Sequence, residues 1–346
     1  MAVRAFITGC AGPELTEAER GFFRDEHPWG LILFARNCVD KQQIRSLIED
    51  FRACVGRADA PVLIDQEGGR VQRLRAPIWT DYPSAETIAA IHAHFPEAGR
   101  RAAWLLGRLI GEDLAELGIN VDCVPVLDIR LPVTHKVIGD RSFGTDPDVI
   151  EILAGAMTGG VSAAGIAPIM KHIPGHGRAT SDSHFDLPVV GCSREELAST
   201  DFEPFRRFST GPAAIPMAMT AHVVYSALDD TAPATLSPFV VDAIIRGDIG
   251  FDGLLMSDDL SMGALSGSLQ ERTMAAFASG CDMALHCNGD FDEMTAVASQ
   301  TPELTGRAAE RALAALAWAR REDIDIAAAR DEFFAILDAA SHPGEA

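Results

Sequence analysis

Residues 146–172 read DPDVIEILAGAMTGGVSAAGIAPIMKH, and this stretch carries one full helix-to-strand unit. Asp146 is placed to cap a helix, and Pro147 pre-sets the φ of the first turn while giving up an N–H that has no partner there. Apolar residues recur at helical spacing as far as Ala164, where Gly165 offers the left-handed conformation that stops a helix. The short apolar run 166–172 reads as a strand, and it ends on two side chains with chemistry, Lys171 and His172.

The same unit repeats along the chain. Strands are predicted over 5–8, 30–34, 61–65, 120–127, 166–172, 214–221, 253–257 and 283–287, with helices over 41–55, 97–117, 147–164, 194–208, 238–246 and 269–279 between them. Asp40 and Ser237 stand as N-caps, Pro238 in a first turn, and Gly56, Gly118 and Gly280 as stops. The alternation predicts an α/β protein, a single (β/α)8 TIM-type barrel domain over 1–346. The Ala-rich tail after Gly306 supplies the last barrel helix and an extra C-terminal helix beside it. A doubly wound open sheet is the alternative. It would carry a glycine-rich phosphate loop after its first strand, and Gly9-Cys10-Ala11-Gly12-Pro13 does not match G-x-G-x-x-G.

With 29 Lys and Arg against 50 Asp and Glu, the 346-residue chain has a formal charge of −21, which disfavours nucleic acid and anionic membrane surfaces as partners. The seven cysteines are scattered without a C-x-x-C pair, so reduced thiols in a cytoplasmic protein are expected. Ile7-Thr8-Gly9-Cys10 loosely matches a lipoprotein box, but the six residues before it include Arg4 and leave no room for a signal's apolar stretch of about 7–15 residues. No apolar run approaches the ~20 residues of a membrane span.

In a (β/α) barrel the chemistry sits at the C-terminal ends of the strands. Here the third strand ends in Asp65-Gln66-Glu67-Gly68-Gly69-Arg70-Val71-Gln72-Arg73 and the fourth in Asp128-Ile129-Arg130, with Gly139-Asp140-Arg141-Ser142-Phe143 beyond. The fifth ends in Lys171-His172-Ile173-Pro174-Gly175-His176-Gly177 and then Asp182-Ser183-His184, the sixth in Thr220-Ala221-His222, the seventh in Ser257-Asp258-Asp259. Any one of these alone reads as a capped loop or a surface ion pair; five successive strand ends point to a site. Lysine occurs only at positions 41, 136 and 171, so Lys171 beside His172 suggests a point-charge donor. Asp182 stands two residues from His184, where a carboxylate can orient an imidazole and stabilise its charged form. Asp258 and Asp259 should point in different directions, one toward a ligand and the other capping the next helix or holding an Arg. That pair alone does not distinguish an acid, a nucleophile and a metal ligand.

Taken together these segments, with Gly30-Leu31-Ile32-Leu33-Phe34-Ala35-Arg36-Asn37 and Ser257-Asp258-Asp259-Leu260-Ser261-Met262, closely resemble the NagZ-type β-N-acetylglucosaminidases of glycoside hydrolase family three. The matching pieces run in order from about Gly30 to Asn288. The resemblance implies a retaining exo-β-N-acetylglucosaminidase of peptidoglycan recycling that releases terminal GlcNAc from GlcNAc-anhydro-muramyl peptides. It implies Asp258 as nucleophile, His184 as a mobile acid/base and Asp182 as its partner, with Asp65, Arg73, Arg141, Lys171 and His172 holding the sugar. Ile173 departs from the family's usual Phe, an apolar-for-apolar change that leaves the chemistry alone. A monomer acting on a small saccharide, without cofactor or metal, is expected. The low content of Trp and Tyr argues against a long polysaccharide groove.

Three other readings stay open on the residues alone. His172, His176, His184, His222, His286, Asp258 and Asp259 could supply a two-metal hydrolase site, although the H-x-H pair common at the first strand of such barrels is replaced by Thr8-Gly9-Cys10. The substrate's own acetamido group could attack, oriented by Asp258 and Asp259. A non-catalytic sugar-binding protein would be expected to lack Asp258 or His184, and both are present.

Overall fold

The computed structural model describes residues 2–211 and 213–342; Met1, Pro212 and residues 343–346 of the expected 1–346 domain lie outside them. Among the described residues ten strands occur, β1 (Arg4–Thr8), β2 (Pro28–Leu33), β3 (Val62–Ile64), β4 (Val121–Asp122), β5 (Ala167–Ile173), β6 (Val189–Val190), β7 (Met217–Thr220), β8 (Val224–Tyr225), β9 (Leu254–Asp259) and β10 (Met283–His286). All but β6 and β8 close into a parallel barrel in the order β1-β2-β3-β4-β5-β7-β9-β10, and β6 pairs with β8 outside it. The predicted TIM-type barrel is therefore present, with each of its strands where the apolar runs placed it.

The helices are α1 (Glu17–Glu26), α2 (Lys41–Val55), α3 (Ala85–His94), α4 (Pro96–Leu117), α5 (Pro147–Ala163), α6 (Arg194–Ser199), α7 (Phe202–Arg207), α8 (Leu269–Ser279), α9 (Phe291–Gln300), α10 (Gly306–Leu316) and α11 (Ile326–Ser341). Asp40 and Asp146 cap α2 and α5 as expected, accepting from the N–H groups of Gln43 and Asp148. Small inward residues such as Val121, Ile169, Met217 and Leu285 fill the barrel interior, while a larger apolar layer lies between strands and helices. No described helix is long and apolar enough to cross a membrane. Cys10, in the lipoprotein-like box, is buried where the chain leaves β1.

Four details differ from the sequence expectation. The fourth strand shrinks from 120–127 to two residues, because Pro125 offers no N–H to the ladder; pairing resumes only as a bridge from Val126 to Lys171. The helix expected over 194–208 is broken into α6 and α7, since Asp201 turns inward to bind Arg178, with Nε to Oδ2 at 2.7 Å. The segment Val240–Asp248 winds as a π-helix after Pro238, with Ser237 accepting from the Val240 N–H. Finally, α11 lies against α4 rather than beside α10. Arg101 pairs with Glu332, Arg330 with Asp113, and Phe333 packs on Tyr82, so the linker after α10 carries the chain to a different flank of the barrel.

Candidate active site

The C-terminal ends of the strands enclose a cavity of about 380 Å³, and Asp65, Arg73, Arg141, Lys171, His172, His184 and Asp258 all line it. Sequence reasoning therefore brought seven of its eight site residues to one wall system. The eighth, Asp182, touches the cavity through His184.

On the floor, alternation along the third strand end puts Asp65 on the cavity wall, Glu67 on the same side behind it against Lys171 and Arg141, and Gln66 on the other side. Gln66 Oε1 accepts from the N–H groups of Arg73 and Leu74, which folds the 66–74 loop back over the strand. Lys171 Nζ, 2% exposed, donates to Asp65 Oδ1 at 2.7 Å and sits 2.6 Å from Glu67 Oε1. Arg73 Nη2 reaches Asp65 Oδ2 at 2.9 Å, and Arg141 grips both oxygens of Glu67 at 2.8 Å. Burial alone would raise both acids, but the surrounding cations overcome it. Glu67 is held at about 2 by Arg141 and Lys171, and Asp65 lies far below the usual carboxylate range beside Lys171 and Arg73. Lys171 and Arg141 are raised in return despite burial. Three cations and two anions thus form a fixed floor, in which Asp65, Arg73, Arg141 and Lys171 line the cavity and Glu67 braces Lys171 and Arg141.

Asp128, 1% exposed, organises the next strand end. Its Oδ1 accepts from the backbone N–H of His172 and His176, and its Oδ2 binds His172 Nδ1 at 2.7 Å, leaving His172 Nε2 for the cavity. Burial opposes its ionisation, yet His172 and His176 keep it low. A Cβ at Gly177 would collide with the Ile129 carbonyl, so only glycine lets the loop cross there.

Asp258 is half-buried at the end of β9. Its Oδ1 accepts from the Asp259 N–H at 2.8 Å, and its backbone N–H donates to Thr220 Oγ1. Burial would raise its carboxyl, but His222, His172 and the Asp259 amide hold it below the ordinary value. Asp259 neither caps α8, which Ser268 does, nor holds an Arg. It accepts from Ser261 N–H and Oγ and from Cys287 N–H, and its carbonyl receives His222 Nε2. Burial drives His222 low, and its Nε2 meets the Asp259 carbonyl from behind.

Opposite in character is the turn 182–184. His184 Nδ1 lies 2.7 Å from Asp182 Oδ1, which also accepts the His184 backbone N–H, and the imidazole is 59% exposed. Asp182 is held low, the His184 hydrogen bonds outweighing its partial burial. With Nδ1 on the carboxylate, Nε2 is the ring nitrogen outside that pair.

Sequence reasoning gave no role to Glu67, Asp128 or Ser183, and placed His176 and His222 only as possible metal ligands. Among the described residues, no three His, Cys, Asp or Glu side chains are grouped to hold a metal ion. All five lie inside the quoted strand ends, but what each does depends on partners from distant parts of the chain.

Residues 7–315 match the family description "Glycosyl hydrolase family 3 N terminal domain". The chain is 37% identical over 290 residues to the β-hexosaminidase of Alkalilimnicola ehrlichii, covering 83% of this chain and 82% of that one. It is 37% identical over 333 residues to the β-hexosaminidase of Methylococcus capsulatus, covering 94% and 96%. Among solved structures, NagZ from Neisseria gonorrhoeae in complex with N-trifluoroacetyl-D-glucosamine superposes with a TM-score of 0.84 at 31% identity, over 100% of this chain and 99% of that one.

Proposed function

The chain belongs to glycoside hydrolase family 3 as a NagZ-like β-hexosaminidase, and from that premise we propose that it removes one terminal N-acetylglucosamine at a time with retention, through a covalent glycosyl-Asp258 intermediate. The observation that carries this reading is an ionised carboxylate with one free oxygen, Asp258, in the same cavity as an imidazole oriented by its own carboxylate, His184 on Asp182. The Asp259 N–H occupies Asp258 Oδ1, so Oδ2 attacks the anomeric carbon as the glycosidic C–O bond breaks. His184 Nε2–H gives its proton to the departing oxygen. A water then passes a proton to His184 Nε2, its oxygen attacks the same carbon, and Asp258 leaves as carboxylate.

The floor suits a neutral, hydroxyl-rich ring, since its charges are already matched to each other and its outward N–H groups and oxygens remain for sugar hydroxyls and an N-acyl group. The relative's complex with an N-acylated glucosamine supports that choice. A cavity of about 380 Å³ accommodates one monosaccharide and the start of its aglycone, which favours small fragments over polymer. Cell-wall muropeptides processed in the cytoplasm are the substrates the resemblance implies.

The test pairs two variants with two leaving groups. Asp258→Ala should abolish cleavage of both dinitrophenyl and alkyl β-N-acetylglucosaminides. His184→Ala should lower kcat/KM for the alkyl glycoside by about 100- to 10,000-fold, the usual contribution of a general acid, and spare the dinitrophenyl one. A fluorinated glycosyl donor should leave its mass on the Asp258 peptide; an acetamido-derived oxazoline and an unlabelled enzyme would overturn the covalent step.

A further inference from the structure

In the turn Asp182-Ser183-His184 the imidazole of His184 is exposed and Asp182 half-buried, while Ser183 between them is 4% exposed. Two contacts fall on it and a third on its neighbour. Ser183 Oγ lies 3.2 Å from His176 Nε2, the Ser183 carbonyl accepts from the Ala264 N–H at 3.1 Å, and the His184 carbonyl accepts from the Gly263 N–H at 3.1 Å. The two sides of this clamp come from the two strand ends that matter. His176 is tied to β5 through Asp128, and residues 263–264 follow Asp258 and Asp259 at the end of β9, with Met262 N–H on the Asp259 carbonyl.

We propose that Ser183 is the positioning residue of the acid/base turn, locked between His176 on one side and the Gly263-Ala264 backbone on the other, so that His184 is held over Asp258. This rests on His184 being the acid/base.

The hydrogen-bond accounting supports a directional lock. His176 is almost wholly buried, and burial together with neighbouring His172 pushes it down to about 4, so the ring is neutral in ordinary buffers. Its Nδ1 has no partner. A buried N–H left unpaired is costlier than an unused lone pair beside a backbone, so the proton sits on Nε2 and is donated to Ser183 Oγ. Gly263 completes the clamp. A Cβ there would stand 2.9 Å from the His184 carbonyl and 3.0 Å from that of Phe185, both backbone atoms, so any side chain pushes the turn off its seat. Glycine is required here by proximity rather than by φ.

The variants are Ser183→Ala, Gly263→Ala, His176→Ala and His176→Gln, whose Nε2 can reach the same oxygen, with His184→Ala as reference. The readout is kcat/KM for the alkyl and the dinitrophenyl glycoside. Ser183→Ala and Gly263→Ala are expected to lower the alkyl-to-dinitrophenyl ratio by about 10-fold, the scale of one buried hydrogen bond. His176→Ala should match Ser183→Ala, His176→Gln should restore most of the ratio, and the Ser183→Ala/His176→Ala double variant should be no worse than either alone. Equal losses on both substrates, or additive losses in the double variant, would overturn the lock while the reference variant still shows selective loss. If His184→Ala shows no selectivity, the acid/base assignment fails first and the lock falls with it.

Discussion

The floor of the cavity and the turn at its rim use the same residue types to opposite ends. On the floor, Asp65, Glu67, Arg73, Arg141 and Lys171 come from strand ends and the loops that follow them, buried or half-buried, and satisfy one another's charge. At the rim, Asp182 and His184 form a single pair on a loop with the imidazole in solvent. A sugar must be met by donors that need no rearrangement, and charges locked by neighbours provide that. A proton donor must give its proton to the leaving group and recover one from water in each turnover, which a buried group does poorly. On the proposed roles, the groups that would hold the sugar are charges fixed by their neighbours, and the group that would carry the proton stands open to solvent.

The largest effect expected from breaking this contrast is at Lys171. Lys171→Met keeps the length and removes the charge, leaving Asp65 and Glu67 facing each other without their shared cation. Removing one partner of a buried pair costs about 3–5 kcal/mol, read from the urea unfolding midpoint, and activity should vanish with the floor. A loss below 1 kcal/mol would mean that the floor is as loosely held as the rim.

Acid should separate the two regions next. Asp65 and Glu67 titrate lower in the folded chain than their ordinary values of about 4, so the unfolded chain takes up protons first as pH falls. Their contribution to stability is complete above about pH 5 and is lost as pH drops through about 4 toward 2. His176 acts earlier. Folded at about 4 and unfolded at about 6.5, it lowers stability as pH falls from 6.5 to 4 and adds no further slope below. Two successive declines in the unfolding midpoint between pH 7 and 2 are expected, the upper one smaller in His176→Gln, where buried His222, also driven low, still contributes.

How far the sequence carried differs in the same way. Helices with a cap, a period and a stop, such as Lys41–Val55 and Leu269–Ser279, were legible to the residue, because each signal is local. Strand ends were legible as a set, since polar residues after apolar runs have one place to go in a barrel. What stayed hidden is what depends on long-range partners. Nothing near Glu67 announces that Arg141 and Lys171 will meet it from other strands, and nothing in Asp182-Ser183-His184 shows that its middle residue points inward to His176. The break before α7 was hidden for the same reason, Asp201 being drawn inward by Arg178.

The smallest effect sharpens the contrast from the rim side. Phe185 follows His184 and is 77% exposed, with Leu187 and Val189 also in solvent just beyond. An aromatic ring in that position buries little area, so its removal forfeits little transfer free energy. Phe185→Ala should shift stability by less than about 0.5 kcal/mol, the usual range of a surface change, while Lys171→Met shifts it several-fold more. The turn's seat depends on backbone contacts of Gly263 and Ala264 and on Ser183, none of which uses the Phe185 ring. The dinitrophenyl kcat/KM should therefore stay within about 3-fold, below one hydrogen bond's worth of change. A loss of stability above 1 kcal/mol would show the rim to be packed like the floor, and the division between a rigid binding floor and a solvent-screened donor would have to be redrawn.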